Sequence, residues 1–272
     1  MKPRLQLVRH ATLKIEIAGM RLLFDPMLAE VASTPPIQNG PDDRKNPLVP
    51  LPMSIDELLS GVSAVVVTHT HRDHWDATAS EVIPKHLPIY CQPEDEQTFR
   101  NAGFANVHPV GSRMLLSEKL EIIRTGGQHG TSEIGKKMAP VSGYVLRGAG
   151  ITTYIAGDTI WCEEVRRAIS EMRPATVVVN AGGARFMQGD PITMTSQDVV
   201  EVCHFAAFAK VVAVHMEAIN HCLVMRAELA KNLESARLLA RVRIPADGEW
   251  VDLDYASDWF EPAGNGPSTR RD

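Results

Sequence analysis

The sequence predicts an α/β (α+β) fold in which sheets carry helices on their outer faces. Two observations predict it. The first third of the chain is a series of short apolar runs of strand length, and from about residue 55 onward helical and strand patterns alternate before β material returns at the end.

The elements follow in order. Residues 5–8, 12–17 and 21–24 read as strands, and Ala18-Gly19 supplies a hairpin turn between the last two. From Asp25 to Pro52 the chain is irregular and carries seven prolines. A stretch this long without regular structure is uncommon inside a domain and often functional, so it is either the lid or rim of a site or a passive surface excursion. Ser54 can cap a short helix over residues 55–59, and Ala64-Val65-Val66-Val67 is a buried strand. Asp76 can cap a helix over 77–83. Residues 88–91 form a strand and 94–101 a helix stopped near Gly103. Strands are expected at 114–116, 119–124, 143–146 and 151–156. Residues 160–172 repeat apolar side chains at Val165, Ala168, Ile169 and Met172, the spacing of a helix. A buried strand at 176–180, a helix at 196–208, a buried strand at 211–214, an amphipathic helix at 225–239 and strands at 242–244 and 250–253 complete the series. Residues 1–260 are read as one domain. Residues 261–272, polar and rich in Pro and Gly, are read as a disordered tail.

Composition narrows the function. The 272 residues are 44% hydrophobic, enough for a substantial core. A net charge of -5 supplies no general basic field, so no nucleic-acid partner is expected. The N-terminus lacks the apolar core of a signal peptide, and no stretch approaches a bilayer span, so a soluble cytoplasmic protein with no membrane partner is expected. Cys91, Cys162, Cys203 and Cys222 have no framework spacing, which fits reduced thiols. Homo-oligomerisation is left open. No Gly-rich phosphate loop and no G-x-S-x-G motif occur.

The segment His69-Thr70-His71-Arg72-Asp73-His74 carries the chemistry. It places three imidazoles and a carboxylate directly after a buried strand. Such donors suit Zn, Mn or Fe, and the absence of cysteine argues against a structural zinc clamp. Three more candidates share the same position at a strand end: His129 after Gly126-Gly127-Gln128, Asp158 after Gly157, and His215 after Val211-Val212-Ala213-Val214. Singly, each has an ordinary alternative, and Asp158 in particular can cap a helix at Ile160. Strand ends on one sheet edge can nevertheless converge on one pocket.

This set of motifs resembles the metallo-β-lactamase superfamily over nearly the whole chain. The resemblance implies a four-layer αββα sandwich with two divalent metal ions at one edge, Zn foremost and Mn admissible. It implies His69, His71 and His129 on the first ion, Asp73, His74 and His215 on the second, and Asp158 between them. Asp73 and Asp158 would also serve catalysis, Asp73 by steering a metal-bridging hydroxide. His71 stands where flavodiiron relatives carry Glu, which favours a hydrolytic centre over a redox one. Within the superfamily the chain looks like the L-ascorbate-6-phosphate lactonase-like bacterial hydrolases. The features are His10-Ala11-Thr12, Phe24-Asp25-Pro26, residues 44–52 and His215-Met216-Glu217-Ala218-Ile219-Asn220-His221, with Arg9 where relatives carry Gly. The implied activity is hydrolysis of a lactone or other small ester, with a small-molecule substrate. A phosphodiesterase or RNA-processing nuclease, and a non-catalytic metal-containing binding protein, are the rivals. His10, His221 and Arg185 are the candidate substrate contacts.

Overall fold

The computed structural model describes residues 2–253, so the expected tail over residues 261–272 lies outside the described residues. The N-terminal hairpins are β1 (Arg4–Arg9), β2 (Thr12–Ile17) and β3 (Met20–Phe24). The β2–β3 turn places Ala18 and Gly19 both at positive φ, the backbone of a tight hairpin. After the Pro-rich segment come α1 (Ile55–Leu59), β4 (Ala64–Val67), α2 (Ala77–Val82), β5 (Ile89–Cys91), α3 (Glu96–Asn101) and β6 (Val107–Pro109). Ser54 caps α1 through the Glu57 amide, and Asp76 caps α2 through the Ala79 amide.

The second half contains β7 (Arg113–Ser117), β8 (Leu120–Thr125), α4 (Ser132–Met138), β9 (Gly143–Gly148), β10 (Ile151–Ile155), α5 (Glu163–Met172), β11 (Thr176–Asn180), α6 (Ser196–Phe205), β12 (Lys210–Val214), α7 (Arg226–Ser235), β13 (Val242–Arg243) and β14 (Trp250–Asp252). Two seven-stranded mixed sheets result, ordered β14-β1-β2-β3-β4-β5-β6 and β13-β12-β11-β10-β9-β8-β7.

Three apolar layers hold them. Leu5, Ile15, Phe24 and Val66 of the first sheet meet Ile122, Tyr144, Val178 and Val212 of the second in the central layer. Val65, Trp75, Phe99 and Phe104 fill the space between the first sheet and its helices. Val177, Val211, Ile169, Val202 and Leu229 do the same for the second. This is the αββα sandwich expected.

Some boundaries move. α5 begins at Glu163 rather than Ile160, because the Ile160 amide donates to the Gln128 carbonyl at 2.8 Å and Thr159 Oγ1 accepts from the Gln128 amide. Asp158 is therefore not a helix cap. α6 stops at Phe205, where the Arg241 guanidinium takes the carbonyls of Cys203, Ala206 and Ala209. Two elements are additional to the expected series. α4 fully buries none of its residues and packs only Ile134 and Met138, half-buried, a stripe too short to announce it. β6 is only three residues long.

Candidate metal centre

The strands bearing the expected ligands point their carboxyl ends to one edge. β1 and β4 do so in the first sheet through the antiparallel β1–β2–β3 meander and the parallel β3–β4 pair. In the second sheet β8 and β10 flank β9 antiparallel, while β11 and β12 continue parallel to β10. His69 follows β4, His129 follows β8, Asp158 follows β10 and His215 follows β12.

The turn after β4 is closed by the His71 carbonyl, which accepts from the amides of His74 and Trp75 at 2.9 Å. It brings the rings of His69 and His74 to 4.1 Å between centroids. Trp75 anchors the turn in the core against Phe99, with ring centroids 4.9 Å apart. Gly157 makes the β10 turn possible. Its φ is +68°, and a side chain there would meet the Ser142 carbonyl at 2.6 Å.

Three groups of side chains have ligand atoms close enough to share an ion: His69, His71 and His129; His69, His74 and Asp158; and His10, Asp73, His74 and His215. Asp158 lies among them. Its Oδ2 is 3.4 Å from His129 Nε2 and 3.3 Å from His74 Nε2, and its Oδ1 is 3.2 Å from His215 Nε2. Asp73 Oδ2 is 3.5 Å from His215 Nε2. All of these groups except His71 are buried.

Burial sets the electrostatics. It pushes His69 well below its usual pKa and lowers His71 and His129. At His74 burial works the same way, but the Asp158, Asp25 and Asp73 carboxylates outweigh it and hold the imidazole well above its usual value. Asp73 and Asp158 are held well below the carboxylate range, because the surrounding imidazoles overcome the cost of burial.

The donor set fits divalent metal ions. Imidazole nitrogens and carboxylate oxygens converge with ligating atoms facing one another, as at His69 Nε2 and His71 Nδ1, 2.9 Å apart. Ligand histidines ordinarily have their outer nitrogen held by an acceptor. Here His74 Nδ1 meets Asp25 Oδ2 at 2.9 Å, His129 Nδ1 the Ile192 carbonyl at 2.8 Å, His69 Nδ1 Thr68 Oγ1 at 3.0 Å, and His215 Nδ1 Cys222 Sγ at 3.6 Å. Asn180 Nδ2 donates to Asp158 Oδ1 at 2.6 Å. Asp25 and Asn180 are not among the site residues expected from sequence. Each ends or follows a strand beside a ligand-bearing strand, and that position is the signal that could have found them.

The expected substrate contacts are placed differently from one another. His10 has no exposed surface and lies against Asp73, with Nε2 3.2 Å from Oδ2. His221 is buried, with its ring 6.0 Å from that of Phe186 and burial lowering it to about 4. Arg185 is exposed and donates to the Gly189 carbonyl of its own loop. Arg9 turns away from the cluster. Its buried guanidinium donates to the carbonyls of Met27, Ala29 and Val49, tying down the Pro-rich segment. Asn220 fixes the same segment through Ile37 and Asn46.

An open cleft of about 800 Å³ is lined by Asn39 of that segment and by Ile134, Lys137, Phe186, Met187 and Gln188. Its walls back onto the cluster. Phe186 and Ile134 share an apolar group with Ile192, whose carbonyl holds His129, and with Cys222, which touches His215.

Fold and cluster together define an αββα sandwich protein with a candidate metal-binding centre at one sheet edge. The chain belongs to the beta-lactamase superfamily, whose domain model matches residues 20–216. It is 36% identical to the UPF0173 protein YddR of Bacillus subtilis, over 89% of this chain and 96% of that protein. A crystal structure described as "a possible metal-dependent hydrolase" from Veillonella parvula superposes with a TM-score of 0.89 at 32% identity, over 93% of this chain and 100% of that one. The isothiocyanate hydrolase from Delia radicum gut bacteria superposes with a TM-score of 0.87 at 36% identity, over 91% of this chain and 98% of that one. Among the described residues, no helix is long and apolar enough to cross a membrane.

Proposed function

We propose that this protein is a metal-dependent hydrolase whose site takes two divalent ions, Zn foremost, and cleaves a small uncharged substrate at an electrophilic carbon. The observation that carries this reading is the position of Asp158, whose Oδ2 lies 3.4 Å from His129 and 3.3 Å from His74 and whose Oδ1 lies 3.2 Å from His215, so that one carboxylate meets histidines of both proposed ligand sets. His69, His71 and His129 would hold one ion, Asp73, His74 and His215 the other, and Asp158 would contact both. When bound there, divalent ions would supply water of near-neutral pKa and polarisation of the bond under attack. Asp73, held by His10 at Oδ2, would orient the attacking water. Asp25 and the Ile192 carbonyl keep His74 and His129 aimed inward. The substrate's side chain rests in the cleft against Phe186, Met187 and Ile134, and His221 stands between cleft and cluster.

Two substrate classes have support. The sequence motifs favour a lactone or other small ester. The 36% identity to an isothiocyanate hydrolase over 98% of that chain favours an isothiocyanate. In that reaction water adds to the central carbon and the C–N bond breaks, so that R–N=C=S and H₂O give R–NH₂ and COS. The acidic balance, and a cleft whose lining includes one basic side chain, Lys137, speak against the nuclease alternative. The test is a panel of lactones, aryl esters, isothiocyanates and phosphodiesters assayed with zinc- and manganese-loaded protein. Chelator-sensitive turnover of a lactone, ester or isothiocyanate supports the reading. No turnover by fully metal-loaded protein, or turnover only of phosphodiesters, sinks it.

A further inference from the structure

We propose that His10 is a positioning residue that holds Asp73 through an Nε2–H donated to Oδ2, and that it is not a ligand of the second ion. The inference rests on the two-ion reading above. By distance alone His10 belongs with Asp73, His74 and His215 as a fourth ligand. The outer nitrogens decide otherwise. Each of the other buried histidines of the cluster has its outer nitrogen beside a partner: Thr68 for His69, Asp25 for His74, Ile192 for His129 and Cys222 for His215. His10 Nδ1 is buried and has none among the described residues. A ligating Nε2 would put the proton on Nδ1 and bury an N–H without an acceptor, an arrangement proteins rarely tolerate. With the proton on Nε2, only a lone pair is left without a partner at Nδ1, and the hydrogen falls on the line to Asp73 Oδ2, 3.2 Å away. A protonated nitrogen cannot ligate. A carboxylate oxygen has lone pairs enough to accept this bond and face an ion as well.

The surroundings lock the ring into that role. His10 follows β1 at φ +59°, a conformation costly for a residue with a side chain. Its carbonyl accepts from the His215 amide at 2.9 Å, and its ring lies on that of His215 with centroids 3.6 Å apart. Next to it, Arg9 fixes the chain through three loop carbonyls. Main-chain and ring contacts therefore fix the donor before any ion arrives.

The test compares wild type, His10→Ala and His10→Gln, whose amide nitrogen can take the place of Nε2–H as donor. Zinc affinities are measured by indicator competition, and the cobalt-substituted proteins are compared by absorption. His10→Ala should keep the first ion and bind the second about 10- to 100-fold more weakly, the usual cost of losing an outer partner of a metal site. His10→Gln should restore binding and the wild-type cobalt spectrum. A second ion bound by His10→Ala as tightly as by wild type overturns the proposal. So does a His10→Gln protein that binds as poorly as His10→Ala and shows an altered cobalt spectrum, which would make His10 a ligand. Nitrogen-15 NMR of the histidine rings in zinc-loaded wild type gives a second reading, independent of whether His10→Ala folds. A proton on Nε2 of His10 supports the proposal, and one on Nδ1 overturns it. Wild type that takes only one ion refutes the two-ion reading instead, and the ring tautomer still decides the role of His10.

Discussion

Gly182 leaves no room between β11 and the His215 loop: a methyl group on its α-carbon would collide with the His215 carbonyl oxygen. His215 itself is at φ +68°, so its backbone has little freedom to yield. Gly182→Ala should therefore move His215 and weaken the second ion, while His69, His71 and His129 still hold the first. On the two-ion reading, metal analysis after limited chelation should find about one ion in the variant and two in wild type. Two ions held as tightly as in wild type would show that the loop relaxes freely.

Asp158 touches both ligand groups, and its loss should be felt at both. Asp158→Ala should lower occupancy of each ion, whereas His215→Ala should empty mainly the second. Elemental analysis of both variants, prepared under metal-replete conditions, separates the two patterns. Full occupancy in Asp158→Ala would remove it from the ligand set.

Asp25 acts through His74. In Asp25→Ala the His74 Nδ1 loses its carboxylate, and Thr68 loses the acceptor of both its amide and its hydroxyl. The second ion should bind about 10- to 100-fold more weakly. Asp25→Asn retains an acceptor oxygen and should fall between. Competition titrations that rank the three proteins in another order would contradict this.

Phe186 and Met187 belong to the cleft and not to the ion cluster. Phe186→Ala should raise KM for aromatic substrates, lowering kcat/KM roughly tenfold or more. Metal content and turnover of a methyl-substituted substrate should stay near wild type. An equal loss on both substrates would mean that Phe186 supports the cluster through His221 rather than binding substrate.

Water activated at the site predicts activity that rises with pH through about 7. Removing the metal should abolish it. Thiol reagents should not, since the four cysteines are buried and free. A pH profile that falls across this range, or turnover surviving complete metal removal, would point to another nucleophile.

Much of this architecture is legible because buried strands carry a distinctive signature. Ala64–Val67, Thr176–Asn180 and Lys210–Val214 are buried along their whole length, and each ends on or leads into a polar residue at the site edge. The resemblance assigns Asp73 and His74 to a different ion from His69 and His71, while the turn closed by the His71 carbonyl keeps His69 and His74 side by side. What stays hidden depends on partners distant in sequence. Nothing local says that the Arg9 guanidinium reaches the carbonyls of Met27 and Val49, or that Asn220 bonds Asn46. The helix at Ser132–Met138 packs only Ile134 and Met138, half-buried, too few for periodicity to reveal it. His10 reads from sequence as a strand-end residue facing a pocket. Only its contact with Asp73 and its stacking on His215 reveal how it is used.

The donors come from both halves of the sandwich, His69 to His74 from one sheet and His129, Asp158 and His215 from the other. Ions held between them would be cross-links as much as reagents. They would join the two sheets at this edge, and a folded chain that binds them would gain stability by mass action. Supply of the metal would then govern how long the protein survives in the cell as well as how fast it works, since small losses of stability change abundance several-fold.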